Sequence, residues 1–409
     1  MSSTSAVEPG SRMTSMEIRA SVSLASIFAL RMLGMFLILP VFSVHARSMP
    51  GGESATLVGL ALGIYGLTQS FGQIPFGVAS DKYGRKPVII IGLLLFALGS
   101  MIAAVAESLP WVIVGRAIQG AGAISAAVTA FIADTTREEH RTKAMAMVGG
   151  SIGLTFAFSL IAAPVMYTAI GMGGIFALTG ILSILAILVV IYVVPAAPPP
   201  VRTRRVPFTE VLRNAELMRL NYGVFALHVT QMAMFVVVPT ALVQYAGLPV
   251  ADHWKVYLPV VLASFALMLP PVFAGERHGR MKQVFVGAIA LLLMVQAGLW
   301  AFLGVQGMHW SLLVGLLLAF FVAFNILEAC QPSLVSRLAP PAAKGTALGI
   351  YNTLQALGLF CGGALGGWLQ QHAGPQFVFA LGTALTIAWL IIAARMKALP
   401  RRGAMAAAA

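Results

Sequence analysis

The sequence predicts an all-α integral membrane protein of twelve transmembrane helices, built as two pseudo-symmetric six-helix halves with both termini cytoplasmic. Three observations lead there: the composition, the placement of the positive charge, and a repeat within the chain. Of 409 residues, 59% are hydrophobic and 10% are charged, with a mean hydropathy of +0.90. Soluble domains carry about 25% charged residues, so the solvent of this chain is a lipid bilayer.

A span needs about 20 apolar residues, and that ruler gives twelve in order. They run over 21–46, 57–79, 88–106, 110–133, 144–168 and 172–194, then 221–243, 254–275, 283–305, 309–333, 345–368 and 374–395. Residues 1–19 lack the apolar core of a signal peptide and read as a disordered cytoplasmic tail. Residues 195–220, rich in Pro and Arg, form a cytoplasmic linker between an N-terminal half (20–194) and a C-terminal half (221–395), and 396–409 form a second tail. Cys330 and Cys361 both lie in apolar runs. They offer neither a disulfide framework nor a metal spacing.

The net charge of +13 would suggest nucleic acid in a soluble protein, but here its distribution carries the information and no nucleic-acid partner is expected. Of 26 Lys and Arg, the odd-numbered loops hold Arg47 and Lys255, and Arg31 and Arg116 lie inside spans. All the others fall in the tails and even-numbered loops, which the positive-inside rule assigns to the cytoplasm.

The repeat is visible in the loops. Shifted by 195 residues, "DKYGR" (81–85) overlays "ERHGR" (276–280), and shifted by 203 the loop from Asp134 meets the one from Arg337. Polar residues inside the spans follow a three-helix period: Arg31 in span 1, Arg116 and Gln119 in span 4, His228 and Gln231 in span 7, Asn325 and Glu328 in span 10. Gln69 and Gln73 in span 2 and Asn352 and Gln355 in span 11 form a second set, whereas spans 3, 6, 9 and 12 have no charge in their interiors. Buried ionisable groups cost about 2.5–3.5 kcal/mol on insertion scales and face the bundle interior. A three-helix unit used four times, its first helix lining a wet cavity and its third facing lipid, accounts for the pattern.

Glu328, the one carboxylate deep in a span, is the candidate proton carrier; the alternative is a structural partner or cavity-mouth residue, since it lies roughly 8 Å from the inner end. Arg31 is too deep to snorkel and either meets an anionic group or bonds helix carbonyls. Arg116 is shallower, and both an outward snorkel and an inward role stay open. His228, Gln231, Asn325, Gln119, Asn352 and Gln355 are candidates for the substrate cavity, with helix-to-helix bonding as the other reading. "CGGALGGWL" follows no strand and lacks the Lys-Ser/Thr of a phosphate loop, so it reads as close helix packing. No zinc or hydrolase motif is present; no enzyme, metal or cofactor is expected.

"GVASDKYGRKP", residues 77–87, resembles motif A of the major facilitator superfamily, with Gly77, Asp81, Lys82, Gly84, Arg85 and Lys86 on its pattern. "RAIQGAGA" (116–123) is similar to motif B of the drug/proton antiporter branch. "LRMLGMFLILPVF" and "NILEACQPSLVS" are similar to the YajR-type inner-membrane transporters, without the small soluble C-terminal domain those carry. Motif C is eroded, with Ser159, Ala163, Tyr167 and Thr168 at its glycine positions. The resemblance implies the major facilitator fold, a monomer in a bacterial inner membrane, and a secondary transporter that exchanges a small molecule with protons by alternating access. It implies efflux of small amphipathic molecules first and import by proton symport second. It also implies a role for Arg116 in proton movement and a conformational latch in which Arg85 pairs with Asp134 while Asp81 meets the N-terminus of span 11, where unpaired amides favour an anion.

Overall fold

The computed structural model describes residues 13–196, 208–303, 310–340 and 343–397. The ends of both predicted tails, the 197–207 stretch of the linker, the 304–309 loop and the side chain of Arg141 lie outside the described residues. Among the described residues there is no strand, and eleven helices are long and apolar enough to cross a membrane.

Span 1 is two helices, α1 (Ser15–Phe36) and α2 (Leu39–Ala46), because Pro40 in the first turn of α2 has no N–H to continue the ladder. A capping box formed by Thr14 and Glu17 starts α1. Next come α3 (Ala55–Tyr83) and α4 (Arg85–Ala104). Span 4 is also broken, into α5 (Leu109–Ala121) and α6 (Ser125–Thr135).

The helix α7 (Glu138–Tyr192) is 55 residues long, roughly 80 Å if straight and far beyond the roughly 30 Å of a bilayer core. It is folded at Gly171, whose φ of 66° belongs to glycine. The first arm runs beside α1, with Ser151 Oγ donating to Ala25 O and Tyr167 meeting His45. The second arm returns along α4, with Ser183 Oγ donating to Leu93 O, and ends where Val193 O accepts from Arg19 Nε. Counted as two crossings, α7 raises the eleven candidates to the twelve that hydropathy predicts.

The short α8 (Phe208–Leu212) precedes α9 (Ala215–Ala246), followed by α10 (Trp254–His278), α11 (Met281–Phe302), α12 (Trp310–Leu338), α13 (Lys344–His372) and α14 (Pro375–Ala394). The sequence places Asp81 and Lys82 in a loop, whereas both sit on the last turn of α3. Gly84, at φ 95°, reverses the chain in one residue and leaves no loop. Gly279, at φ 68°, turns the chain after α10 with one further residue, Arg280, before α11.

One face of the molecule is basic and gathers the ends of α1, α3, α4, α7, α11 and α14. Its cations close helix ends: Lys86 Nζ donates to Val194 O at 2.6 Å and Lys282 Nζ to Ala394 O at 3.0 Å, where C-terminal carbonyls lack partners. At the far face α3 and α13 touch backbone to backbone. A Cβ on Gly59, Gly63 or Gly66 would overlap the α13 main chain near Gly363, Phe360 or Ala356, and Ser54 Oγ donates to Gln371 Oε1 at 2.9 Å. Toward the basic face, Gly345 and Gly349 on α13 have open space where a Cβ would stand. The α3–α13 seam is thus closed at the far face and open at the basic one.

Candidate functional site

Two polar clusters lie inside the bundle, one acidic and one cationic. The acidic cluster joins three candidates from three helices. His228 on α9, one turn after Val224, has Nδ1 2.9 Å from Val224 O. That carbonyl can only accept, so Nδ1 carries the proton and Nε2 presents its lone pair to the amide of Gln355 on α13, 2.8 Å away. The same Gln355 nitrogen is 3.4 Å from Glu328 Oε1 on α12, and Glu328 Oε2 lies 3.7 Å from His228 Nε2. Glu328 Oε2 is itself buried without a hydrogen-bond partner, although the side chain as a whole is 25% exposed.

This arrangement has two forms. With His228 neutral, one amide bridges imidazole and carboxylate. With His228 protonated, its Nε2–H faces the Gln355 donor, so the amide must turn its Nε2 away, and the imidazolium has Glu328 Oε2, 3.7 Å away, as a charged acceptor. A proton arriving here therefore moves a side chain that links α9, α12 and α13. Phe324 packs its ring edge-on to His228 at 6.1 Å and stacks on Phe320.

The cationic cluster is centred on Tyr65 of α3. Arg31 and Arg116 place their guanidinium carbons 5.5 and 4.8 Å from its ring centroid, inside the cation–π range. Both arginines are buried, at 2% and 0% exposure, so the outward snorkel left open for Arg116 does not occur. Arg116 Nη1 donates to Gln119 Oε1 at 2.9 Å, and Gln119 Nε2 donates to Ser100 Oγ at 2.7 Å. Arg31 Nη1 donates to Ser125 Oγ at 3.1 Å. Among the described residues neither arginine has a carboxylate within ion-pair distance.

The remaining candidates separate. Asn325 Nδ2 donates to Ser264 Oγ at 3.0 Å and ties α12 to α10, away from the acidic cluster. Gln231 is buried with its oxygen unpartnered, and Asn352 is half-buried on α13. On the basic face Arg85 Nε pairs with Asp134 at 2.7 Å, and Arg85 Nη1 meets Asp81 at 2.6 Å and Ser80 Oγ at 2.7 Å. Arg85 thus gathers Asp81, Ser80 and Asp134 into one knot. Gly77 meets only Ala126 Cβ, at ordinary contact distance, and Lys82 lies over the Tyr83 ring at 5.0 Å. At the repeat-related positions Arg337 Nη2 pairs with Glu276 at 3.0 Å. Glu276 stands where Asp81 does and Arg337 where Asp134 does, so the second half ties the same two segments with a different pair of side chains.

Tyr65, Ser125 and the Glu17–Arg137 pair were not legible in the sequence. Glu17 is 6% exposed and accepts from Arg137 at its main-chain N, Nε and Nη2, which joins α1 to the start of α7. An acid four residues before the first span was the available signal, and the tail assignment of 1–19 hid it.

Models of the Major Facilitator Superfamily match residues 24–363 and 276–408. The chain belongs to the major facilitator superfamily. It is 44% identical over 394 residues to the inner membrane transport protein YajR of Escherichia coli K12, covering 95% of this chain and 86% of that protein. It is 29% identical to the multidrug resistance protein MdtH of Aeromonas hydrophila, covering 84% and 86% of the two chains. Among solved structures, an auto-inhibited POT family peptide transporter matches with a TM-score of 0.70 at 15% identity, covering 93% of this chain and 97% of that one. The human organic anion transporter MFSD10 matches at 0.67 and 19%, covering 94% and 100%. At those identities the fold alone is shared. The protein is a multi-pass membrane transporter of the secondary type, not an enzyme.

Proposed function

We propose that this protein couples the movement of a small molecule to protons across a bacterial inner membrane, in the efflux direction. The observation that carries the reading is the His228–Gln355–Glu328 cluster, a protonatable acid and base sharing one amide between three helices. The cations of the basic face assign that face to the cytoplasm, so the α3–α13 seam opens inward. In this reading the two six-helix halves rock about the cavity, and the Arg85–Asp134 and Glu276–Arg337 pairs hold equivalent inner junctions of each half.

Protonation at Glu328 and His228 biases the rocking because the Gln355 bridge exists in one charge state and not in the other. Similarity to YajR and, more distantly, to MdtH supports an inner-membrane location and efflux. The importer reading, by proton symport, is favoured by one observation: Ser159, Ala163, Tyr167 and Thr168 stand where the antiporter motif C has glycines.

The test is purified protein in liposomes under an imposed pH gradient, with labelled compounds screened while internal pH is followed. With an acidic lumen, antiport is expected to carry the compound into the liposome as protons leave it. Co-movement in one direction would replace efflux by symport, and compound flux indifferent to the gradient would contradict proton coupling.

A further inference from the structure

The broken span 4 places a helix N-terminus in the middle of the membrane. After α5 ends at Ala121, the chain passes through Gly122–Ile124 in tight non-helical turns, with Ala123 N bonded to Ala121 O and Ile124 N to Gly122 O. The first backbone bond of α6 is Val128 N to Ile124 O, and α6 has no side-chain cap. The amides of Ser125, Ala126 and Ala127 are therefore left without helical partners, as at any helix start, but here at depth. An uncapped N-terminus also carries about half a positive charge.

A second, independent feature points at the same place. Arg31 donates Nη1 to Ser125 Oγ, the first residue of α6, while its Nε and Nη2 are buried with no partner. Arg116 Nη2, beside the same aromatic ring, and the hydroxyl of that ring's own Tyr65 are likewise buried and unpartnered. Uncompensated buried cations are strongly destabilising, and helix N-termini in low dielectric favour anions. A fold that keeps two such arginines, a bare helix start and spare donors together has built the complement of a negative charge.

We propose that Arg31 and the N-terminus of α6, backed by Arg116 across Tyr65, form a binding site for the carboxylate of a small organic anion. The planar fork of Arg31 offers two free N–H groups to one carboxylate in bidentate fashion, and the amides of Ala126 and Ala127 lie beyond Ser125. Ala126, Thr129 and Ala130 along α6 are partly exposed. The inference deepens the transport reading by naming the substrate class, and rests on that reading only for the anion's being cargo. Binding is measured at equilibrium without a gradient, so its outcome is separate from that of coupling.

The probes are labelled benzoate and its uncharged near-isostere benzamide, applied to the full chain in nanodiscs. Saturable benzoate binding that benzamide does not displace is expected. Arg31→Gln should weaken it at least tenfold, and Arg31→Lys, which keeps charge without the fork, by less. Arg31→Met should raise the thermal midpoint of ligand-free protein, because a buried cation with two unpartnered nitrogens and no carboxylate costs stability, whereas a structural one contributes it. Absent benzoate binding, equal displacement by benzamide, or undiminished binding in Arg31→Gln would overturn the proposal. The benzoate and benzamide comparison needs no variant and stands even where a substitution fails to fold.

Discussion

Glu328 has one carboxylate oxygen within reach of Gln355 and the other buried and unpartnered, which leaves it the acid of the bundle interior on which the coupling reading rests. Glu328→Gln should leave membrane levels unchanged and abolish gradient-driven transport while preserving exchange of substrate without a gradient; transport against counterflow in liposomes separates the two. Glu17 is a contrasting acid. Its role is to hold α1 to α7; a hydrogen bond to a charged group is worth about 1.5–3 kcal/mol, less here because Arg137 is 40% exposed. Glu17→Gln should therefore lower the thermal midpoint measurably and leave proton coupling intact. Charged residues such as Arg31, Arg116 and Glu328 were legible in the sequence because a charge in an apolar run is conspicuous. Tyr65 and Ser125 were not, since neutral polar residues are common in spans, and their importance comes from which neighbours helix rotation brings to them.

The helix pair α3–α13 shows at the level of elements how small residues decide geometry. Gly59 and Gly363 meet main chain to main chain at the far face, the close approach that small residues allow in membranes. Gly363→Leu should prevent that closure, and a cysteine placed at Ala55 in a protein lacking Cys330 and Cys361 should then react severalfold faster with an impermeant maleimide from the far side. The glycine run of α13 was legible as packing, but its partner was not, because one sequence does not say which helices cross. The turn at Gly84 was legible as a turn; its one-residue length was not, because the helical continuation through Asp81–Tyr83 depends on the knot that Arg85 makes with Ser80, Asp81 and Asp134. Exposed ion pairs contribute about 0–1 kcal/mol, so that knot acts on conformational populations more than on stability. Because Arg85 and Asp134 pair directly across two helices, Arg85→Asp should impair transport in the liposome assay and the double change with Asp134→Arg should restore part of it.

For the whole molecule, composition, charge placement and the 195-residue echo were enough to predict a twelve-helix transporter, because bilayer thickness dictates span length and the insertion machinery reads cations in short loops. They do not report a conformation, since both states of an alternating-access protein share one sequence. The central claim is that protonation at the Glu328–His228–Gln355 cluster sets the balance between a seam open at the basic face and one closed there. Spin labels at Tyr83 on the last turn of α3 and Lys344 at the start of α13, both exposed, report that seam as a distance. In the wild type two distances should be populated in proportions that change with pH, and in Glu328→Gln one distance should persist at every pH. A wild-type distribution that ignores pH, or an unaltered pH response in Glu328→Gln, would contradict the account.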